Sequence, residues 1–276
     1  MLDFMKTTIF AAALSCAPMT AFAQSAQAED LFEALALGEV IGVMRQEGIT
    51  YGDELIADFF PGRTIDDWDE VIALIYDEDT MKEEVKAAFS EALDGADVSA
   101  MLAFFNSPVG QEIIDLEISA RRALMDEEIE QMAEENAAVA MQDETDRFLL
   151  VQDFVDVNNL IDSNVVGAMN SNFAFYIGLL EGGAFGQDLS EDQILADVWS
   201  REAEIRQSTT EWAFSFLMLA YQPLSDEELR LYTDFSKTMA GEELNTALFD
   251  AFDGMLERIS RDLGLATSRY MVEQEL

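Results

Sequence analysis

The chain has 276 residues but no histidine, one cysteine, four prolines and only 15 lysines and arginines. Each shortage closes off a chemistry. Without histidine there is no Ser-His-Asp triad, no imidazole acid-base group near neutral pH and no His-containing zinc site. The 15 basic side chains stand against 56 acidic ones, a formal net charge of −41. Phosphate backbones and anionic headgroups need clustered Lys and Arg to displace their counterions, so nucleic acid is not an expected partner. Glycine-rich phosphate loops are missing too. Gly182, Gly183 and Gly186 follow the aromatic run "FAFYIGLL" rather than a strand, and no cofactor is expected.

The lone cysteine, Cys16, lies in "MKTTIFAAALSCAPMTAFAQ". This stretch has a charged start, an apolar run and Ala21-Phe22-Ala23 before Gln24, the pattern of a secretory signal cleaved after Ala23. Residues 1–23 are thus expected to be removed and the product to be periplasmic. Acylation of Cys16 is the lesser alternative, because Ala13 stands where a lipoprotein signal has leucine. Cleavage after Ala23 leaves no thiol for a disulfide, a metal or a nucleophile. No later stretch reaches about 18 uninterrupted apolar residues, so no membrane span is expected.

What the chain has is helical material. Half of its residues are hydrophobic, and Ala, Leu, Glu, Met and Gln recur at helical spacing with no sustained alternation of period two. The reading is all-α, a bundle of two tandem related helical units at 24–145 and 146–276. The spacing predicts a helix from Asp30 ending at Gly48, a second through "GDELIADFF", and a third opened by Thr64 with Asp67. A fourth is opened by Thr80 with Glu83. In the second unit it predicts an apolar helix over 148–169, a Gly-rich aromatic stretch over 167–186, and a long helix opened by Ser190 with Gln193.

The stretch "FFNSPVG" breaks an apolar helix and restarts it at once. Ser107 is the expected N-cap and Pro108 the first helical residue, where a missing N–H costs nothing. Gly110 is small enough for another backbone to approach, and a long helix is expected to run on toward Glu144. "DFSKTMAG" repeats this grammar, with Thr238 in place of Ser107 after a helix opened by the Ser225/Glu228 capping box. Aligning Leu93–Leu124 with Leu224–Met255 pairs Phe104 with Phe235, Gly110 with Gly241, Glu112 with Glu243 and Ala120 with Ala251. Phe104, Ser107, Pro108, Gly110, Phe235, Thr238 and Gly241 form a structural motif, not a catalytic one.

The phrase "LAFFNSPVGQEI" resembles the joint of a secreted bacterial family known as domain of unknown function 2059. The resemblance covers about 65–125 and, more weakly, about 200–263, where Met239 replaces the proline. It implies an exported helical protein, mostly from Gram-negative bacteria, with no established activity and no catalytic residues to carry over.

The acidic residues have structural roles in this reading. The clusters Asp66, Asp67, Asp69, Glu70 and Asp77, Glu78, Asp79 lack the ligand order of a calcium loop and sit at helix ends, where acids cap. Glu117 with Arg121, Arg122 with Asp126, Glu202 with Arg206, Glu257 with Arg261 and Arg258 with Asp262 are spaced as helix-surface pairs. The aromatic and Met-rich residues 168–185 and 212–221 are core, with an apolar ligand cleft between helices as the alternative. The expected function is non-catalytic binding of a protein, peptide or apolar small molecule between the two units. The alternative is a carboxylate-based or metal-assisted hydrolase, although no carboxylate pair stands out.

Overall fold

Helix caps and close glycine contacts organise the chain, as a computed structural model shows. It describes residues 17–62, 65, 67–185 and 190–272, with side chains from Ala26 onward. Cys16, Thr64, Asp66 and Gly186 lie outside the described residues. The expected cleavage point after Ala23 falls within the first helix. There are thirteen helices and no strand among the described residues. The first seven are α1 (Ala17–Ala34), α2 (Leu37–Phe59), α3 (Trp68–Ile75), α4 (Glu78–Ala92), α5 (Val98–Phe105), α6 (Pro108–Ala123) and α7 (Glu127–Gln142). The rest are α8 (Asp146–Val157), α9 (Leu160–Glu181), α10 (Glu191–Ser200), α11 (Glu202–Ala220), α12 (Asp226–Ser236) and α13 (Met239–Val272).

Helix pairings in the first half recur in the second. α1 packs on α5 as α8 packs on α12, and α2 on α3 and α4 as α9 on α10 and α11. Left-handed residues, Ala36 at φ 48° and Asn159 at φ 50°, turn α1 into α2 and α8 into α9. The two joints also match. The Gly110 N–H donates to Ser107 Oγ at 3.1 Å, and the Gly241 N–H to Thr238 Oγ1 at 3.1 Å. A Cβ on Gly110 would lie 2.3 Å from the Phe104 carbonyl oxygen, and one on Gly241 2.3 Å from that of Phe235. In both places the new helix starts against the backbone of the old one.

Each half completes the core of the other. One cluster joins buried residues of α1–α6 to Leu244, Ala251, Met255 and Ile259 of α13. A second joins Ile113 and Ala120 of α6 and Ala137 of α7 to Phe148, Phe154, Leu217 and Tyr221. α13 runs along α9 so closely that backbones touch. A Cβ on Gly264 would lie 2.0 Å from Phe175 O, and one on Gly178 2.1 Å from Arg261 O. Arg258 ties α13 to α4 through Glu84 at 2.8 Å. Arg147 of α8 donates to the carbonyls of Tyr221 and Leu224, capping the end of α11.

Several expected boundaries differ. α2 continues through Gly48 to Phe59, because the Tyr76 ring lies against Gly48 and a side chain there would collide with it. Asp77, not Thr80, caps α4, accepting from the Thr80 N–H at 2.9 Å. The helix after Pro108 stops at Ala123 instead of reaching Glu144, since Asp126 accepts from the N–H groups of Glu128 and Ile129 and starts α7. The apolar stretch 148–169 breaks at Asn158–Asn159, residues that tolerate the left-handed turn, and α9 then runs through the supposed Gly-rich segment to Glu181. The helix opened by the Ser190/Gln193 capping box ends at Ser200, and α11 begins anew.

Of the five helix-surface pairs, Glu202–Arg206 and Arg258–Asp262 form, at 2.7 and 3.3 Å. The other arginines reach across to neighbouring helices instead: Arg121 to Glu47, Arg122 to Glu39 and Arg261 to Glu181.

The glycine contacts are testable against Gly254, which has nothing within 4 Å of an added Cβ. Gly254→Ala should stabilise by up to about 1 kcal/mol through helix propensity. Gly110→Ala and Gly264→Ala should instead cost about 1 to 3 kcal/mol as overpacking. Urea unfolding of the three variants checks this, and the same sign at all three sites contradicts the close packing.

Candidate functional site

Stacked rings stand where the two joints meet. Phe104 and Phe235, the paired aromatics of the joints, lie 4.3 Å apart at an interplanar angle of 10°. Phe105 meets Phe235 edge-on at 5.5 Å, and Tyr232 stacks on Phe104 at 5.7 Å. Phe154 and Tyr221 extend the cluster. Beside these rings is a cavity of about 390 Å³, within the usual range for small-molecule sites. Its walls come from both halves: Leu37, Val40 and Met44 of α2, Ile114 of α6, Phe216 and Leu217 of α11, and Leu244, Leu248 and Phe252 of α13. A smaller cavity of about 170 Å³ shares Leu35, Val40, Ile114, Glu117, Arg121 and Phe216 with it.

Glu117 is the polar centre of this apolar space. It sits on the inward face of α6, one turn after Ile114, and lines both cavities. Its Oε1 accepts from the Tyr221 hydroxyl at 2.7 Å. Burial in apolar surroundings pushes the carboxyl up to about 7, against hydrogen bonds from Tyr221 and Tyr232 that favour the ionised form. Burial, followed by the nearby carboxylate, raises both tyrosines well above their ordinary range. Arg121 lies one turn on from Glu117, but its guanidinium is held bidentately by Glu47 at 2.9 and 2.8 Å. Asp253 of α13 lines the same cavity and is pushed up to about 6, first by burial and then by Glu257 and Asp250.

Residues 212–221 supply Trp212, Ala213, Phe216, Leu217 and Tyr221 to the cavity wall, whereas residues 168–185 supply none. Of the motif residues, Phe235 and Gly241 line the cavity. Phe104 stacks beside it, while Ser107, Pro108 and Thr238 shape the joints. Glu117 was legible only as a helix-surface pair, because spacing along α6 cannot show that Tyr221, 104 residues away, covers it. In the acidic clusters Asp77 caps α4, Glu78 pairs with Lys82, and Asp67 accepts from the Tyr270 hydroxyl at 2.9 Å. Among the described residues no group of three or more Asp, Glu, His or Cys is placed to hold a metal ion. No helix among them is long and apolar enough to cross a membrane.

Residues 79–138 match the family described as "Uncharacterized protein conserved in bacteria (DUF2059)". The matched segment holds most of α4, the first joint and Glu117, and reaches past 125 into α7. The second joint lies outside it. No curated protein and no solved structure matches the chain.

The carboxyl of Glu117 carries a pH signature. Between its ordinary value of 4.5 and about 7, the folded protein keeps a proton that the unfolded chain has lost. Stability from this residue therefore falls as pH rises through that window and is level above it. At about 1.4 kcal/mol per unit the strain on the ionised form is roughly 3 kcal/mol. Glu117→Gln should accordingly stabilise by about 1 to 3 kcal/mol more at pH 8 than at pH 5 in urea unfolding. An equal effect at both pH values contradicts the placement of Glu117.

Proposed function

We propose that the protein is an exported, non-catalytic binding protein that takes an apolar small molecule into the cavity between its two helical units. The observation that carries this reading is the combination of about 390 Å³ of aromatic and aliphatic space with the Glu117 carboxyl set between two tyrosines. Sites of this build use apolar walls for affinity and a few convergent polar groups for orientation. Leaving such a space empty forfeits packing contacts, so an occupant is worth more here than on an open surface. Tandem units at 24–145 and 146–276 suit the role, since each contributes helices to the walls. The periplasm is the compartment this reading assigns, supported by the signal-like N-terminus and by the match to a family described as conserved in bacteria.

A carboxylate-based hydrolase is the second reading, favoured by Glu117 and Asp253 lining one cavity, each pushed up by burial.

Native mass spectrometry of the chain from Gln24, exported in a Gram-negative host and purified without detergent, tests the proposal. The expected result is one added mass that leaves on denaturation and is lost in Ala213→Phe, which fills the cavity. A bare mass together with no binding of the neutral dye N-phenyl-1-naphthylamine contradicts it. Hydrolysis of esters or glycosides that depends on Glu117 or Asp253 replaces it with the enzymatic reading.

A further inference from the structure

Resting on that binding reading, we infer that the ligand is a lipophilic amine, its ammonium group held by Glu117 beside Tyr221 and Tyr232 and its apolar body against the aromatic walls. A carboxylate has two oxygens and about four acceptor positions. The Tyr221 hydroxyl takes one of them at 2.7 Å and Tyr232 a second, and acceptor capacity remains for a donor in the cavity that Glu117 lines. The one guanidinium in the cavity wall, Arg121, is already neutralised by its bidentate bond to Glu47. A desolvated carboxylate without a counter-charge is costly, and an ammonium group supplies both the charge and the donors.

The surroundings favour a cation as well. Tyr221, Tyr232, Phe154 and Phe105 line the cavity, and aromatic rings attract ammonium groups through their faces. An anionic head would meet Glu117 and Asp253 instead. A net charge of −41 draws cations toward the protein and repels anions before any contact forms.

Three probes with one tail and different heads separate the possibilities: octylamine, octanol and octanoate, titrated calorimetrically into the full mature chain. At pH 8 octylamine should bind at least about tenfold more tightly than octanol, and octanoate most weakly. Glu117→Gln should erase the amine's advantage over octanol, and circular dichroism should show the same helix content. The advantage should shrink at pH 5.5. The groups around Glu117 are Tyr221 just after α11, Tyr232 from α12, Arg121 on α6 with its partner Glu47 from α2, and Asp253 of the shared cavity wall on α13. The tyrosines stay neutral over that range, so Asp253→Asn, which should keep the preference, isolates Glu117. Equal binding of amine and alcohol, or a preference untouched by Glu117→Gln, overturns the ammonium site and leaves apolar binding standing. Failure of all three probes to bind overturns both readings.

Discussion

The face-to-face contact of Phe104 with Phe235, 4.3 Å apart, ties together two pieces of chain with the same local chemistry. Each ring sits one residue before the end of its helix, each is followed by a hydroxyl cap, and each cap is followed by a glycine pressed on the preceding backbone. The glycines bring each new helix tight against the old one. As a result α6 and α13 leave their joints toward the opposite half, α6 against α11 and α13 against α4. Two helical units that share core residues in this way are not independent domains, and unfolding one exposes the buried face of the other.

The cavity lies beside this contact, with α2, α6, α11 and α13 among the helices that line it. Glu117 occupies it at a cost to stability when ionised. Stability sacrificed at a half-buried, hydrogen-bonded carboxylate suits the proposed binding role better than a packing role, since an apolar residue of similar size would pack the site more favourably.

Much of the fold was legible because its punctuation is chemical. Ser107, Thr238, Ser190 and Ser225 sit at helix starts, and in each case the hydroxyl accepts the N–H of the third helical residue. Errors arose where tertiary contacts override local preference. Gly48 reads as a stop until the Tyr76 ring is seen lying on it. Asn158 and Asn159 sit in a stretch that reads as one apolar helix over 148–169, and Asn159 in the left-handed region makes the break between α8 and α9. The site was less legible than the fold. Residues 212–221 were a candidate cleft wall from their aromatic content, but with one residue in five acidic, nothing along the sequence set Glu117 apart from the carboxylates at the surface.

The account rests on the two joints meeting across the centre, and a double-mutant cycle on Phe104 and Phe235 tests that most directly. Phe104→Ala, Phe235→Ala and the double variant would be unfolded in urea beside the parent chain. The stacked contact predicts a coupling of about 0.5 to 1.5 kcal/mol, so the double variant loses less than the two single losses together. Single losses that add, to within about 0.3 kcal/mol, would mean that the rings do not touch and that the joints do not meet.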